Sequence, residues 1–239
     1  MLGEPLLRLE TTDSTNRVAL DWEDAPHGAA VVARRQTGGR GRLGRVWVSP
    51  PDAGLYLSLV LRCETLQNGA VLSLLSALGV ARALEHLTNF KIGVKWPNDI
   101  LGFDPGGAPR KIGGILCEAR GAKIVVGIGL NLNQSAAELP QRPLFPATSL
   151  QLQSGRKWDV EVVLKAVLAS LDEVLSRGWD EERAEFERRC FGIGEVARVT
   201  TPSETLTGIL AGVDEGGALW VRTAQGLKRV VAGEVSYFS

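Results

Sequence analysis

GGILCE (Gly113 to Glu118) and KIVVGIGLNLN (Lys123 to Asn133), parted by a turn at Gly121, read as two β-strands. Both carry glycines where a strand normally places side chains, and a glycine inside a strand often marks a close approach to the backbone. Upstream, VKWPND (Val94 to Asp99) must break before Pro97, which disfavours helix at Trp96 and removes a ladder donor, so it reads as a strand turning into a loop. LYLSLVL from Leu55 and AAVVA (Ala29 to Ala33) have strand composition, as does a run from Val46 that Pro50 and Pro51 end. Helices flank these runs. Thr12, Asp13 and Ser14 offer caps to a helix reaching about Trp22. The apolar spacing of Val71, Leu74, Leu75, Leu78, Ala81 and Leu84 makes 71–87 amphipathic. Val160 to Leu175 and the polar stretch Asp180 to Cys190 predict two more. From Phe191 the texture changes to VARVTT, LTGILAGV, ALWVR and LKRVVAGEV, split by DEGG and AQG. These predict a small β-barrel of roughly fifty residues, too small to stand comfortably alone and expected to lean on what precedes it.

The chain has 239 residues, of which 44% are hydrophobic and 23% charged, enough for a sizeable core and unlike disordered or fibrous sequences. Lys plus Arg and Asp plus Glu number 27 each, so no overall field favours nucleic acid or acidic membranes, and affinity for anions must be local. Cys63, Cys117 and Cys190 show no CxxC spacing, which argues against a disulfide framework and for reduced thiols in the cytoplasm. No stretch is expected to span a bilayer.

The local anion site stands out. RRQTGGRGRLGRVW (Arg34 to Trp47) holds five arginines and four glycines, with no acid between Asp24 and Asp52. Glycines let backbone N–H groups converge on an anion and guanidinium forks suit phosphate or carboxylate, although the segment alone also fits a solvated loop or an RGG-like nucleic-acid contact. KWPND delivers Lys95, Asn98 and Asp99 to a strand end, and Lys111 enters a Gly-containing strand where its ammonium can face developing charge. Asn131 follows the GxG of GIGLN, a weak signal by itself. His27 and His86 are the only histidines, too few for a hydrolase triad or a His-rich metal site. The carboxylates of 180–187 interleave with arginines as a solvated helix face does.

In order along the chain, DSTN (Asp13 to Asn16), GGRGRLGRVW, KWPND, RKIGGI, GIGLN and the final AGEVS resemble the biotin–protein ligases. Singly these motifs are weak and together they are specific. The resemblance implies an α+β fold, with a mixed or antiparallel sheet and helices forming a catalytic biotin- and ATP-binding domain over 1–190 and a small SH3-like β-barrel over 191–239. It implies that biotin and MgATP form biotinyl-5′-AMP, whose biotinyl group passes to a lysine of the biotin carboxyl carrier protein or domain of a carboxylase. Ser14, Thr15, Asn16, Gln36, Gly39, Arg40, Lys111, Gly114 and Ile115 would hold biotin. Arg40, Arg42, Arg45, Trp47, Asn98, Asp99 and Asn131 would serve the adenylate, with Trp47 stacking on adenine. Lys111, Arg42 and Arg40 would be catalytic: Arg40 on the carboxylate and phosphate, Arg42 on the adenylate and loop closure, Lys111 on charge at the acyl-phosphate. Asp99 would bind Mg²⁺ or accept a proton from the carrier lysine.

Some bacterial members add an N-terminal helix-turn-helix, for which a DSTN at residue 13 leaves no room, so neither a repressor role nor a DNA partner is expected. No membrane partner is expected either, and the assembly is open between monomer and homodimer. Some relatives also have a C-terminal arginine that reaches the nucleotide, whereas this chain ends VSYFS. Lipoate– or octanoate–protein ligase is the nearest alternative enzyme. A non-catalytic binder of biotinyl-adenylate is the alternative of another class, although it would have no need of Lys111.

Overall fold

The computed structural model describes residues 1–62, 69–140 and 145–237. Cys63 lies outside the described residues. In chain order the elements are β1 (Leu6–Thr12), α1 (Thr15–Asp21), β2 (Ala30–Gln36), a 3₁₀ turn (Arg42–Gly44), β3 (Gly54–Arg62), α2 (Gly69–Thr88), β4 (Gly93–Lys95), β5 (Asp99–Phe103), β6 (Pro109–Arg120) and β7 (Lys123–Asn131). Then come α3 (Leu150–Ser154), α4 (Val160–Arg177), α5 (Trp179–Arg189), β8 (Val196–Thr200), β9 (Thr205–Val213), β10 (Leu219–Thr223), β11 (Gly226–Val230) and β12 (Glu234–Tyr237).

The first seven strands form one mixed sheet in the order β1-β2-β3-β7-β6-β5-β4, with only β1–β2 parallel. Alternation sorts its two faces. Leu55, Leu57, Leu59 and Leu61 of β3 and Val126, Ile128 and Leu130 of β7 join α2 and α4 in the main core. The opposite face carries Ser58, Gly127, Gly129 and Asn131, and at one end Val60 and Val125 pack under Ala19 and Leu20 of α1. One side of the sheet is therefore committed to packing while part of the other is left for chemistry.

Several expectations change. The run from Val46 is no strand; it touches its neighbours through two isolated bridges, Gln36–Ser49 and Arg40–Val46, because the glycine-rich chain between them turns too often to sustain a ladder. β1, β5 and α3 were not read from the sequence, the first two lacking strong period-two alternation. LKRVVAGEV is two strands, parted at 231–233. α2 is long and apolar enough by composition to cross a bilayer, contrary to expectation, yet 67% of that window is buried within the fold, as in a core helix.

The last five strands form an antiparallel sheet in the order β11-β10-β9-β8-β12. No ladder joins its two edges among the described residues, so it is not a closed barrel. It does lean on the larger part. Val199, Leu210 and Leu219 belong to the same core as the first sheet. Trp96 Nε1 donates to the Gly217 carbonyl at 3.0 Å and Trp179 Nε1 to the Asp214 carbonyl at 2.9 Å.

Candidate active site

The glycines of the central strands have a physical explanation. A Cβ on Gly129 would lie 2.6 Å from the Trp47 indole, and one on Gly127 would collide with the amide of Asn16. The strands are lowered so that two side chains from other segments can lie on them. Asn16 is held there by Ser58, whose buried hydroxyl donates to Asn16 Oδ1 at 2.6 Å and lies 2.8 Å from Thr15 Oγ1. Ser14 is the N-cap residue of α1 but makes no side-chain capping bond; its side chain borders the cavity instead.

Around this floor lies a cavity of about 650 Å³. Ser14, Thr15, Asn16, Gln36, Arg40, Arg42, Arg45, Trp47, Asn98, Asp99, Lys111, Gly114, Ile115 and Asn131 all line it. Gly39 does not; it is buried in the loop wall, where a Cβ would strike the Trp47 carbonyl and the Ser49 hydroxyl. The cavity thus brings together fourteen of the fifteen residues that the resemblance assigns to the site.

Arg40, Arg42, Arg45, Lys95 and Lys111 bring positive charge to the cavity wall. Lys111 Nζ donates to Asp99 Oδ1 at 2.5 Å and lies 5.8 Å from the centre of the Trp47 ring. Lys95, also lining the cavity, lies 3.9 Å from Asp99 Oδ2 and 4.9 Å from the Phe145 ring. Burial holds its ammonium below the usual lysine range against the opposing pull of Asp99. Arg42 is likewise lowered, by burial first, and reaches Asn98 Oδ1 at 3.3 Å. Arg40 faces Glu118 at 3.3 Å, and Glu118 in turn accepts from Asn16 Nδ2 at 2.8 Å. Gln36 accepts from both the backbone N–H and the hydroxyl of Thr15 while its own amide nitrogen donates to Ser49.

The arginine segment is a compact turn. Gly41 N–H donates to the Arg45 carbonyl at 2.7 Å and Trp47 N–H to the Gly39 carbonyl at 2.9 Å, with Leu43 in the left-handed region at φ 56°. Its far end rests on the second sheet. Arg45 pairs with Glu234, which keeps the Glu234 carboxyl below the usual range, and Arg42 reaches the Gly233 carbonyl at 3.5 Å. Thr200, Glu234, Val235 and Ser236 complete the cavity wall. Lys95, which the KWPND motif brings to notice, lines the cavity too, whereas these wall residues, with Glu118 and Gln134, are not singled out by the sequence. AGEVS did contain the signal for Glu234, but nothing local shows that a strand more than a hundred residues away faces the arginines.

Two family models match the chain: "Biotin/lipoate A/B protein ligase family" over residues 8–135 and "Biotin protein ligase C terminal domain" over residues 192–237. The biotin–[acetyl-CoA-carboxylase] ligase of Paracoccus denitrificans is 34% identical, with 96% of this chain and 99% of that protein covered. The bifunctional ligase/repressor BirA of Bacillus spizizenii is 33% identical over 98% of this chain and 74% of its own length. Among solved structures, the biotin protein ligase of Aquifex aeolicus in complex with biotin and ATP superposes with a TM-score of 0.86 at 35% identity, covering 98% of each chain.

Proposed function

The chain belongs to the biotin/lipoate A/B protein ligase family as a biotin–protein ligase, and from that premise we propose how its residues share the two steps of the reaction. In the first step the carboxylate of biotin attacks the α-phosphorus of ATP, pyrophosphate leaves and biotinyl-5′-AMP forms. In the second, the ε-amine of a carrier lysine attacks the acyl carbon, AMP leaves and an amide bond results. The first step brings two anions together, so neutralising and positioning charge is most of what the protein must do. The observation that carries this reading is the junction of Lys111, Arg40, Arg42 and Arg45 with the polar floor of Ser14, Thr15 and Asn16 in one cavity.

Ser14, Thr15, Asn16 and Gln36 present short polar groups suited to the ureido ring, beside Gly114 and Ile115. Lys111, already directed toward Trp47 and Asp99, would stabilise charge at the acyl-phosphate. Arg40 would leave Glu118 for the substrate carboxylate, Arg45 would meet the ATP phosphates, and Arg42 would hold the closed loop over the adenylate. Trp47 would stack on the base. In the second step Asp99, drawn away from Lys111 by the ammonium of the incoming lysine, would accept its proton.

Asp99 does not fit a resident metal. Its two oxygens face Lys111 and Lys95, and no group of three His, Cys, Asp or Glu suited to a metal occurs among the described residues. Mg²⁺ is therefore read as arriving on the phosphates of MgATP, its usual mode with nucleotides. We read 1–190 as the catalytic domain and 191–239 as an SH3-like barrel domain, a reading supported by its five-stranded antiparallel sheet of the order β11-β10-β9-β8-β12. The acceptor is read as a biotin carboxyl carrier domain, DNA and membranes as non-partners, and the assembly as a monomer or homodimer. The thiols of Cys117 and Cys190, each unpaired and raised by burial to about 12, suit a reducing cytoplasm.

The decisive test is ATP-dependent transfer of biotin to a purified carrier domain, run beside lipoate and octanoate. Transfer of biotin with AMP release is expected. Transfer of either rival acid in its place would refute the biotin assignment, and binding of biotinyl-adenylate without transfer would refute the enzyme.

A further inference from the structure

Glu118 of β6 places a carboxylate beside the arginine segment but outside the cavity. Leu116, two residues earlier on the same face of the strand, lines the cavity; Glu118, one step further along, does not. One of its oxygens serves two segments: Oε2 accepts from Asn16 Nδ2 at 2.8 Å and from Arg40 Nη2 at 3.3 Å. The Asn16 amide has other anchors, since Nδ2 also donates to the Leu116 carbonyl at 3.2 Å and Oδ1 accepts from Ser58 at 2.6 Å. Of the two residues that Glu118 holds, only Arg40 answers its charge.

Arg40 also lines the cavity, so its guanidinium stands between an internal carboxylate and any carboxylate that a ligand brings. The internal pair is weak by its setting. With the Arg40 side chain 45% exposed and that of Glu118 26% exposed, water screens it, and such a pair is worth about two- to fivefold in an equilibrium constant. A pair of that strength keeps an arginine neutralised and within reach of the site, yet yields it to a competing anion.

Resting on the reading that Arg40 meets the carboxylate of biotin, we propose that Glu118 is a positioning residue for that contact: it holds Arg40 beside Asn16 and gives it up in exchange for the substrate carboxylate. No covalent bond changes; one ion pair replaces another. Glu118 thereby sets the margin by which the site prefers a carboxylate to an uncharged ligand, because only a carboxylate must take Arg40 from it. Removing the charge of Glu118 frees Arg40 and widens that margin.

The test is calorimetric binding, without nucleotide, of biotin and of biotinol, in which an alcohol replaces the carboxylate. The chains are the unaltered one, Glu118→Gln, Arg40→Ala and the double variant. Glu118→Gln keeps an oxygen for Asn16 and removes the charge. It should tighten biotin about two- to fivefold and leave biotinol within about 1.5-fold, and in the Arg40→Ala background it should change neither. A merely structural role for Glu118 would move both ligands together. Unchanged or looser biotin binding in Glu118→Gln, an equal change for biotinol, or a gain that persists without Arg40 would overturn the assignment. Transfer to a carrier domain separates this from the function itself: a chain that binds biotin with this dependence on Glu118 yet transfers none would support Glu118 and refute the ligase, and one that transfers biotin without this dependence would do the reverse.

Discussion

Lys111 and Asp99 hold one another at 2.5 Å in a partly buried setting, and the consequence depends on which of them substrate needs. An ammonium that meets negative charge chiefly in the transition state acts on rate more than on binding. Lys111→Ala should therefore cut biotinyl-adenylate formation by about a hundredfold while biotin still binds and the fold survives. Near-normal adenylation, measured as pyrophosphate release, would remove Lys111 from the mechanism. Arg42 differs because it reaches two anchors, Asn98 and the Gly233 carbonyl, as well as the cavity. Arg42→Gly should keep some synthesis of the intermediate but release it early, so that exposed lysines of a bystander protein become labelled. The measurement is the ratio of carrier to bystander biotinylation alongside synthesis; an unchanged ratio with intact synthesis contradicts the retention role.

At the scale of elements, α1 presents Ser14, Thr15 and Asn16 from its first turn, and Lys123 secures its other end. The Lys123 ammonium, buried to 7% exposure, donates to the carbonyls of Ala19, Leu20 and Trp22 where the helix ends. Lys123→Met should cost about 1–3 kcal/mol in stability and raise KM for biotin more than it lowers kcat, because the helix that carries the polar floor loses its stop. Denaturant titration and steady-state kinetics check both halves. Lys123 was invisible as anything but the start of a strand, since no local pattern shows that a lysine will reach a helix a hundred residues earlier. The glycines of β6 and β7 were legible as sites of close approach because glycine in a strand needs a reason. What approached, Trp47 and Asn16, was not, because that depends on how separate segments meet. The arginine segment was legible as an anion loop from charge and glycine alone. Its support by Glu234 was legible only as a motif, with no physics in the sequence to join the two.

At the scale of the whole molecule, the loop is fastened to the second sheet by the Arg45–Glu234 pair, both partners being more than 40% exposed. So exposed a pair contributes little to global stability. Its effect should be on the loop: amides 38–44 should exchange faster in Glu234→Ala than in the unaltered chain, and slow in both on addition of biotin and ATP. Protection that is the same with and without ligand would rule out a closing loop. Because Glu234 titrates below the usual carboxylate range, the pair is fully present above about pH 4.3 and is lost as pH falls through the depressed value, so loop exchange should diverge from its neighbours only in acid.

A cavity walled by both sheets has another consequence. Any occupant that touches Thr200, Val235 or Ser236 as well as Lys111 and Trp47 links two structural units that the chain joins only once covalently, through the segment after α5. Ligand at a hundred times its Kd would add about 2.7 kcal/mol to the folded state. The substrate becomes one more fastener beside the shared core, so a loaded molecule should melt at a higher temperature than an unloaded one.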